Sequence, residues 1–312
     1  MRLPDVHRYK PAVALPLRKV GIKGIRMPIS FTTLGGKRVL LVPVFDVFID
    51  LPPHRKGIDA SRSYEAVADV FGMFAKRTFK LEDLCAHISN ELLRRHEYAT
   101  RAEVKARAEA VVERTTPSSG ITTFEPYRVY AKAVSKMVNG VAATSRMVGV
   151  KVVGVTACPC VSEGLKAMSR AELADLLKLH GLDDSLIDSL PIATHMQRSE
   201  GFLAMDSPEG YDVDVSRLID IVEGAMSAPT YELLKRLDEL DIVLKAIKTP
   251  RFVEDSIRFM AKGVVEEFKD LPDDVKVFMA QRSEESIHKH DMVAIRRTTM
   301  GELRKEILNQ AS

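Results

Sequence analysis

The chain has 312 residues, of which 46% are hydrophobic and 29% are charged, enough for one large core or two compact ones of about 150 residues each. Its 46 basic and 43 acidic residues nearly cancel, so the formal charge of +3 argues against a broad polyanion-binding surface and against a nucleic-acid partner. No stretch approaches the roughly 20 consecutive apolar residues that span a bilayer, and the N-terminus lacks an apolar run of signal length. We therefore expect a soluble, cytoplasmic protein without membrane contact.

The first half of the chain predicts a strand, two amphipathic helices and a hairpin. The first strand stops at Pro52, and the hairpin is indicated by Asn139-Gly140 between two apolar runs, which is the strongest short hairpin signal. The helices are indicated by apolar residues recurring at spacings of three and four. In chain order the predicted elements are a strand over 38–51, helices over 61–79 and 81–96, and strands over 124–138 and 141–156.

The second half repeats this order loosely. A strand is expected around Leu203. Residues 169–190 show helical periodicity with a helix-stopping glycine, Gly181, and are expected to form an insertion. We place a boundary near Thr156, which predicts an N-terminal module over 1–156 and a C-terminal module over 157–312. The remaining predictions are helices over 214–227 and 253–268 and strands over 275–282 and 292–298.

A pair of cysteines follows the strand that ends the first module. Cys158 and Cys160 are separated only by Pro159, too close for an ordinary disulfide, while Cys85 falls in a predicted helix. Thiolates at a strand end are good ligands for zinc or ferrous iron, and three protein ligands with an open position fit better than a four-ligand structural site. Two small buried residues around a turn proline are the alternative.

Three histidines are the next candidates for chemistry. His195 lies among polar residues rather than on an apolar stripe, although a structural role is still the more frequent one for a single histidine. His288 and His290 would face the same side of a strand, where paired imidazoles bind metal or transfer protons. A solvated strand end with incidental histidines is the alternative.

Charged segments elsewhere are less specific. The acids near Lys235 and Arg251 could cap helices or pair with neighbouring bases, and the sequence alone favours this surface explanation over a role in chemistry. Arg55-Lys56-Gly57, with Ser61 and Arg62, offers the donor types that hold a phosphate, although it resembles no P-loop.

In chain order the segments CPC, THMQRSEG, PTYELLKRLDE, RFVEDSIR and ESIHKHD resemble motifs of the type IB GTP cyclohydrolase family, and in particular its archaeal ferrous-iron branch in methanopterin and folate biosynthesis. The resemblance runs from about Val20 to about Ala294. It implies an α+β tunnelling fold, in which two fused modules of antiparallel sheet with paired helices assemble into an oligomeric barrel. It further implies a homotetramer with its active sites at subunit interfaces.

The resemblance also implies roles for individual residues. The metal ligands would be Cys158, His195 and Glu239, and Glu254 would hold the guanine ring through paired hydrogen bonds. Proton transfer would fall to the set Cys160, His288 and His290, and the triphosphate to the set Arg198, Arg62, Lys56 and Lys235.

This chemistry suits the residue types. Opening a purine imidazole ring requires water to attack C8, and a metal ion makes water nucleophilic near neutral pH. A histidine or thiol moves the protons, and a buried carboxylate rejects bases that lack the donor pattern of guanine. The expected ion is Fe(II), with Zn(II) and Mn(II) as alternatives, since this ligand set accepts several metals.

Two departures from the bacterial pattern bear on the product. Asp59 stands where bacterial members typically have a histidine, and the insertion between Cys160 and His195 is longer. Both favour the archaeal branch, whose product is 7,8-dihydroneopterin 2′,3′-cyclic phosphate, formed with formate and diphosphate. The bacterial product, 7,8-dihydroneopterin triphosphate, is the alternative.

Two hypotheses of other kinds stay open at this point. One is a tunnelling-fold relative acting on another purine or pterin, such as the nitrile reductase of queuosine synthesis, whose cysteine is a nucleophile. The other is a non-catalytic oligomeric module with a structural metal, which would unfold when the metal is stripped.

Overall fold

The structure is a computed structural model that describes residues 4–32, 38–74 and 79–308. The chain divides into two compact units, each built from several chain segments. Unit 1 comprises Met1–Ala110, Arg128–Gly149 and Met205–Asp212. Unit 2 comprises Val111–Tyr127, Val150–Ala204 and Val213–Ser312. The module boundary expected between residues 156 and 157 stays a prediction.

Groups of strands are followed by one or two helices along the chain, after a short 3-10 turn at Val6–Arg8. The strands are β1 (Leu17–Arg26), β2 (Ile29–Thr32), β3 (Arg38–Leu41), β4 (Val44–Leu51), β5 (Arg101–Thr115), β6 (Thr122–Val138), β7 (Val141–Ala157), β8 (Met196–Asp206), β9 (Ala228–Pro229), β10 (Lys276–Ser283) and β11 (Met292–Thr299). The helices are α1 (Ala60–Phe74), α2 (Leu81–Arg95), α3 (Pro159–Leu179), α4 (Leu186–Ser189), α5 (Val215–Ala225), α6 (Arg236–Lys248), α7 (Val253–Glu267) and α8 (Met300–Leu308).

Unit 1 packs two helices against one face of a sheet. The strand order within it is β1-β4-β5-β6-β7, with antiparallel pairing of β1 to β4 and of β4 to β5. Alternate residues of β4 are buried, as expected for a strand with one covered face. Phe45 of β4 meets Phe71 of α1 edge to face at 5.3 Å between ring centroids, and Leu84 and Ile88 of α2 complete this core.

The hairpin between β6 and β7 turns at the predicted dipeptide. Asn139 has φ of 51° and Gly140 has φ of 81°, and two consecutive positive φ values are what a two-residue turn of type I′ requires. Asparagine tolerates that region better than most residues, and glycine enters it freely. The hairpin prediction is confirmed.

Unit 2 also places helices against a sheet, whose order within the unit is β5-β6-β7-β8-β10-β11, with β9 paired to β7. Helix α5 packs against α7, and α7 packs against β10 and β11. The side chain of Asp214 caps α5 by accepting a hydrogen bond from the main-chain N of Ser216 at 2.7 Å. The antiparallel β10–β11 hairpin pairs Lys276 with Thr299 at one end and Ser283 with Met292 at the other.

Several predicted elements need correction. The strand predicted over 38–51 is two strands, β3 and β4, because Pro43 has no main-chain N–H for a ladder. The helix predicted over 169–190 begins already at Pro159, a residue type favoured in the first helical position, and it ends before Gly181, whose φ is 62°. Strand β5 and helices α6 and α8 were not predicted. The end predicted for the first helix falls partly on residues 75–78, outside the described residues.

Within the described part of the chain, no helix is both long enough and apolar enough to cross a bilayer.

Candidate active site

The CPC turn joins the end of β7 to the start of α3. Cys158 is half-buried in an extended conformation just before the helix, and Cys160 is exposed in its first turn. The main-chain N of Cys158 donates to the carbonyl O of His195 at 3.1 Å, and the hydroxyl of Thr194 donates to the carbonyl O of Cys158 at 2.8 Å. The backbone therefore holds Cys158 beside His195, two residues that the sequence separates by a long helical insertion.

His195 stands immediately before β8 and is half-buried. Its Nδ1 lies 3.4 Å from the hydroxyl Oγ of Ser286. Histidines that bind metals usually use one ring nitrogen for the ion and the other for a hydrogen-bonded partner. The environment of His195 suits that division of the ring.

The acid predicted as the third ligand lies in the first half of α6. Helix α6 packs through the fully buried Ala246 and through Ile242 against Ala157, the residue before Cys158, and Met196, the residue after His195. Glu239 itself is exposed, near the N-terminal end of the helix. Its helix therefore borders the strand ends that carry Cys158 and His195.

Asp238, the neighbour of Glu239, has a structural role. It is fully buried and accepts hydrogen bonds from the main-chain N of Ser118 (2.9 Å), Ser119 (2.8 Å) and Lys235 (2.9 Å). Burial alone would raise the pKa of Asp238, but these hydrogen bonds and one from the Ser119 hydroxyl hold it below its ordinary value. Of the two adjacent acids, Asp238 uses its carboxylate for structural hydrogen bonds, so Glu239 is the candidate for chemistry.

The two histidines of the predicted proton-transfer set do not lie on a strand. Residues 284–291 connect β10 to β11, so the strand position predicted for His288 and His290 is wrong. Both side chains are exposed, yet their rings stack at 5.2 Å between centroids with an interplanar angle of 19°. The connection brings the two imidazoles to one place by a bend rather than by strand periodicity.

Glu254 and two of the predicted phosphate ligands also belong to unit 2. Glu254 is exposed in the first turn of α7, Arg198 is exposed on β8, and Lys235 is exposed immediately before α6. The main-chain O of Arg198 accepts from the main-chain N of Glu284 at 3.0 Å, which ties β8 to the start of the 284–291 connection.

Lys56 and Arg62 belong to unit 1. The main-chain N of Lys56 donates to the carbonyl O of His7 at 3.1 Å, and Lys56 is exposed. Arg62 Nη1 lies 3.5 Å from the Asp59 carboxylate, and Arg55 Nη2 lies 2.7 Å from it. The acid that departs from the bacterial pattern is thus paired with bases of its own segment.

One group of side chains in unit 1 is close enough to share an ion. Among groups of three or more His, Cys, Asp or Glu side chains within residues 4–32, 38–74 and 79–308, only Asp5, His7 and Asp59 have donor atoms that all lie within 4.8 Å of one another. Arg55 binds Asp59 at 2.7 Å and Arg8 binds Asp5 at 2.9 Å, and these guanidinium groups oppose a cation there. We assign no ion to this group. In the described part of the chain, the donor atoms of Cys158, His195 and Glu239 do not all lie within 4.8 Å of one another.

A buried histidine that the sequence did not mark lies in the same part of unit 1. His96 is fully buried, with the Ser63 hydroxyl 3.0 Å from Nε2 and the Tyr98 hydroxyl 2.9 Å from Nδ1. Burial is the largest cause that lowers the pKa of His96 to about 4; Asp59 opposes it, and Arg62 and Arg55 add to it. His96 is therefore a neutral structural residue at physiological pH.

This lowered pKa predicts a loss of stability in acid. The unfolded chain binds a proton at His96 near pH 6.5, whereas the folded protein resists it until about pH 4, so stability is lost as the pH falls between those values. Between pH 7 and pH 5 we expect His96 to account for about 2 kcal/mol of the free energy of unfolding. Urea unfolding of the protein and of His96→Gln at both pH values measures this, and equal pH dependence in the two proteins would refute it.

Comparisons with known proteins bear on the whole chain. The model of the family described as type I GTP cyclohydrolase folE2 matches residues 3–294. The chain is 39% identical over 308 residues to GTP cyclohydrolase MptA 2 of Methanocella arvoryzae, covering 98% of this chain and 99% of that protein. It is also 39% identical over 309 residues to GTP cyclohydrolase MptA of Methanosarcina mazei, covering 98% and 97%. With GTP cyclohydrolase MptA of Methanococcus aeolicus the identity is 40% over 309 residues, covering 97% and 99%.

A solved structure shares the fold. The crystal structure of uricase from Arthrobacter globiformis aligns with a TM-score of 0.55 at 8% identity, covering 93% of this chain and 96% of that one. At that identity the likeness shows the fold alone. The predicted α+β tunnelling fold is confirmed, while its assembly into an oligomeric barrel stays a prediction.

Proposed function

Because the chain belongs to the folE2 family of type I GTP cyclohydrolases, and is thus an enzyme, we propose that it opens the guanine imidazole ring of GTP at C8 and releases 7,8-dihydroneopterin 2′,3′-cyclic phosphate, formate and diphosphate. The observation that carries the proposal is the identity of about 39% to GTP cyclohydrolases of the MptA type over nearly the full length of both chains. Asp59 and the long helix α3 support the cyclic phosphate over the triphosphate, since both are departures from the bacterial pattern. The reaction would be the first step of a methanopterin-type pterin pathway.

We propose that Cys158, His195 and Glu239 hold one catalytic metal ion, with Fe(II) as the native ion. A thiolate, an imidazole and a carboxylate form a donor set typical of catalytic rather than structural sites. The half-buried Cys158 beside His195, with α6 packed against their strand ends, supports this assignment. When bound, such an ion supplies Lewis acidity that makes water nucleophilic near neutral pH.

The remaining residues are assigned to substrate and protons. Glu254 would accept hydrogen bonds from the N–H groups of guanine, which orients C8 and rejects bases with a different donor pattern. Cys160, His288 and His290 would move protons as the ring opens and formate leaves. Arg198, Arg62, Lys56 and Lys235 would pair with the phosphates.

We further propose that the enzyme works as a homotetramer in the cytoplasm. The outermost strand in the order of unit 2, β11, exposes Val293 and Ile295, with 54% and 63% of their surface accessible, and a subunit contact would cover such side chains. Three free thiols suit a reducing compartment. Light scattering of the purified protein tests the tetramer, and a monomer would contradict it.

Product analysis after anaerobic reconstitution tests the proposed reaction. The protein is stripped of metal, loaded separately with Fe(II), Zn(II) or Mn(II), and incubated with GTP. We expect pterin fluorescence with Fe(II) and a product whose mass is that of the cyclic phosphate. The mass of the triphosphate would move the enzyme to the bacterial type of reaction, and no pterin with any of the three ions would refute the proposal.

A further inference from the structure

Three hydroxyl groups on neighbouring strands of unit 2 form a closed ring at the core side of the CPC turn. Thr156 on β7 lies 2.7 Å from Ser199 on β8, Ser199 lies 2.7 Å from Ser283 on β10, and Ser283 lies 3.1 Å from Thr156. All three residues are at most 1% exposed. Since a hydroxyl donates one hydrogen bond and accepts up to two, each member can donate to the next, and each keeps a lone pair for another donor. The three hydroxyl groups form a buried, mutually hydrogen-bonded polar cluster at a position in the sheet where apolar side chains would ordinarily pack.

Gln197 contacts this ring of hydroxyl groups. Its amide Nε2 donates to Thr156 Oγ1 at 3.2 Å and to Glu285 Oε1 at 3.2 Å, which uses both of its N–H groups. Gln197 lies on β8 two residues after His195, which immediately precedes that strand. The amide therefore links the fixed hydroxyl ring to a residue of the 284–291 connection.

The 284–291 connection carries Ser286, which contacts His195, and it also carries the two predicted proton-transfer histidines, His288 and His290. Its first residue is held to β8 by the main-chain hydrogen bond from Glu284 to Arg198, and Ser286 lies against His195 Nδ1. Beyond Ser286 the side chains are exposed, including both stacked histidines. Glu285 is the half-buried side chain at its start, and Gln197 binds its carboxylate.

We propose that Gln197 is a positioning residue: by binding Glu285 from the Thr156–Ser199–Ser283 ring, it sets the place of the 284–291 connection relative to His195. Ser286, His288 and His290 depend on Glu285 for their place, since Glu285 is where the connection leaves the sheet. A shift of about 1 Å in a catalytic group can cost roughly 100-fold in rate. Loss of the single amide at this position is therefore expected to lower the rate of catalysis measurably. The effect on turnover rests on the proposed function, whereas the effect on the connection does not.

Gln281 supplies a matched control. It lies on β10 two residues before Ser283, it is fully buried, and its amide N and O have no hydrogen-bond partner among the described residues. Replacing it by methionine makes the same chemical change as at Gln197, in the same layer of the same unit, without breaking a hydrogen bond of the structure.

The test compares Gln197→Met with Gln281→Met by hydrogen exchange of residues 284–291 and by steady-state kinetics with GTP. We expect exchange of the connection to rise roughly tenfold in Gln197→Met and to stay unchanged in Gln281→Met. We expect kcat to fall about 10- to 100-fold in Gln197→Met, with little change in KM. Thr156→Val, which removes the acceptor under the amide with little change in shape, should reproduce both effects if Gln197→Met does not fold.

A double-mutant cycle separates positioning from a general structural role. If Gln197 acts through Glu285, adding Gln197→Met to Glu285→Ala produces no further loss of kcat, and losses that multiply would overturn the inference. Unchanged exchange of residues 284–291 in both Gln197→Met and Thr156→Val would overturn it as well. Absence of GTP turnover in the unmodified enzyme would instead refute the proposed function, and the exchange comparison would still decide the role of Gln197.

Discussion

Replacing Cys158 by alanine is expected to remove the bound metal and to lower kcat/KM for GTP by at least about 1000-fold, or roughly 4 kcal/mol of transition-state stabilisation. The reason is the loss of the thiolate, which is the softest donor of the proposed set. The main-chain N and O of Cys158 are held by the His195 carbonyl and the Thr194 hydroxyl, so the fold should survive the loss of the Cys158 side chain. Metal content by mass spectrometry and kinetics with GTP measure the two effects.

Two other cysteines serve as controls for this variant. Cys85 is fully buried in the core of unit 1, so Cys85→Ala removes a thiol without changing the metal content. Cys160→Ala should keep the metal and lose turnover, because Cys160 is proposed to transfer protons rather than to bind the ion. A Cys158→Ala protein that keeps one ion per chain would contradict the ligand assignment.

Replacing Glu254 by glutamine is expected to lower kcat/KM for GTP by about 100- to 1000-fold. The loss arises because two hydrogen bonds from guanine to a charged acceptor are weakened or broken. Discrimination against inosine triphosphate should fall at the same time, because that nucleotide lacks the amino group that a carboxylate would bind. The start of α7 does not depend on Glu254, since Asp255 accepts the hydrogen bond from the main-chain N of Phe252 at 3.1 Å.

Kinetics with both nucleotides measure this effect, and Glu266→Gln is the control. Glu266 is an exposed acid near the other end of the same helix, so its replacement changes the charge of α7 without touching the proposed guanine site. Equal losses with GTP and inosine triphosphate in Glu254→Gln would show that the carboxylate does not read the base.

Local sequence was sufficient for the elements that carry strong local signals. The Asn139-Gly140 hairpin followed from a dipeptide whose positive φ values few other pairs adopt easily. The helices α1, α2, α5 and α7 followed from their apolar spacing, because each buries one face against a sheet or a neighbouring helix.

Strand β5 was missed for a physical reason. Its sequence, RAEVKARAEAVVERT, is rich in alanine, glutamate, lysine and arginine, which are intrinsic helix formers. Pairing with β4 and burial of Ala102, Val104 and Ala106 override that preference. Since the alternating residues are mostly alanines, the period of two is weak in the sequence itself.

The residues of the candidate site also fall into those that the sequence indicated and those that it did not. Residue type and position pointed to Cys158, and the polar setting pointed to His195, but only the fold shows that the two are neighbours. The role of Glu239 came from resemblance alone, because an acid next to another acid near a helix start is ordinarily a cap, as Asp238 proves to be. Nothing in the sequence marked Gln197, since its contacts join strands that lie far apart along the chain.

The fate of C8 tests the central claim most directly. GTP labelled with carbon-13 at C8 is supplied to the Fe(II)-loaded enzyme, and formate and pterin are quantified by NMR. We expect the label to appear in formate, in an amount equal to the pterin formed. We expect the Cys158→Ala variant to release no labelled formate. Label retained in the purine-derived product, or labelled formate released equally by Cys158→Ala, would contradict a cyclohydrolase whose metal is held by Cys158, His195 and Glu239.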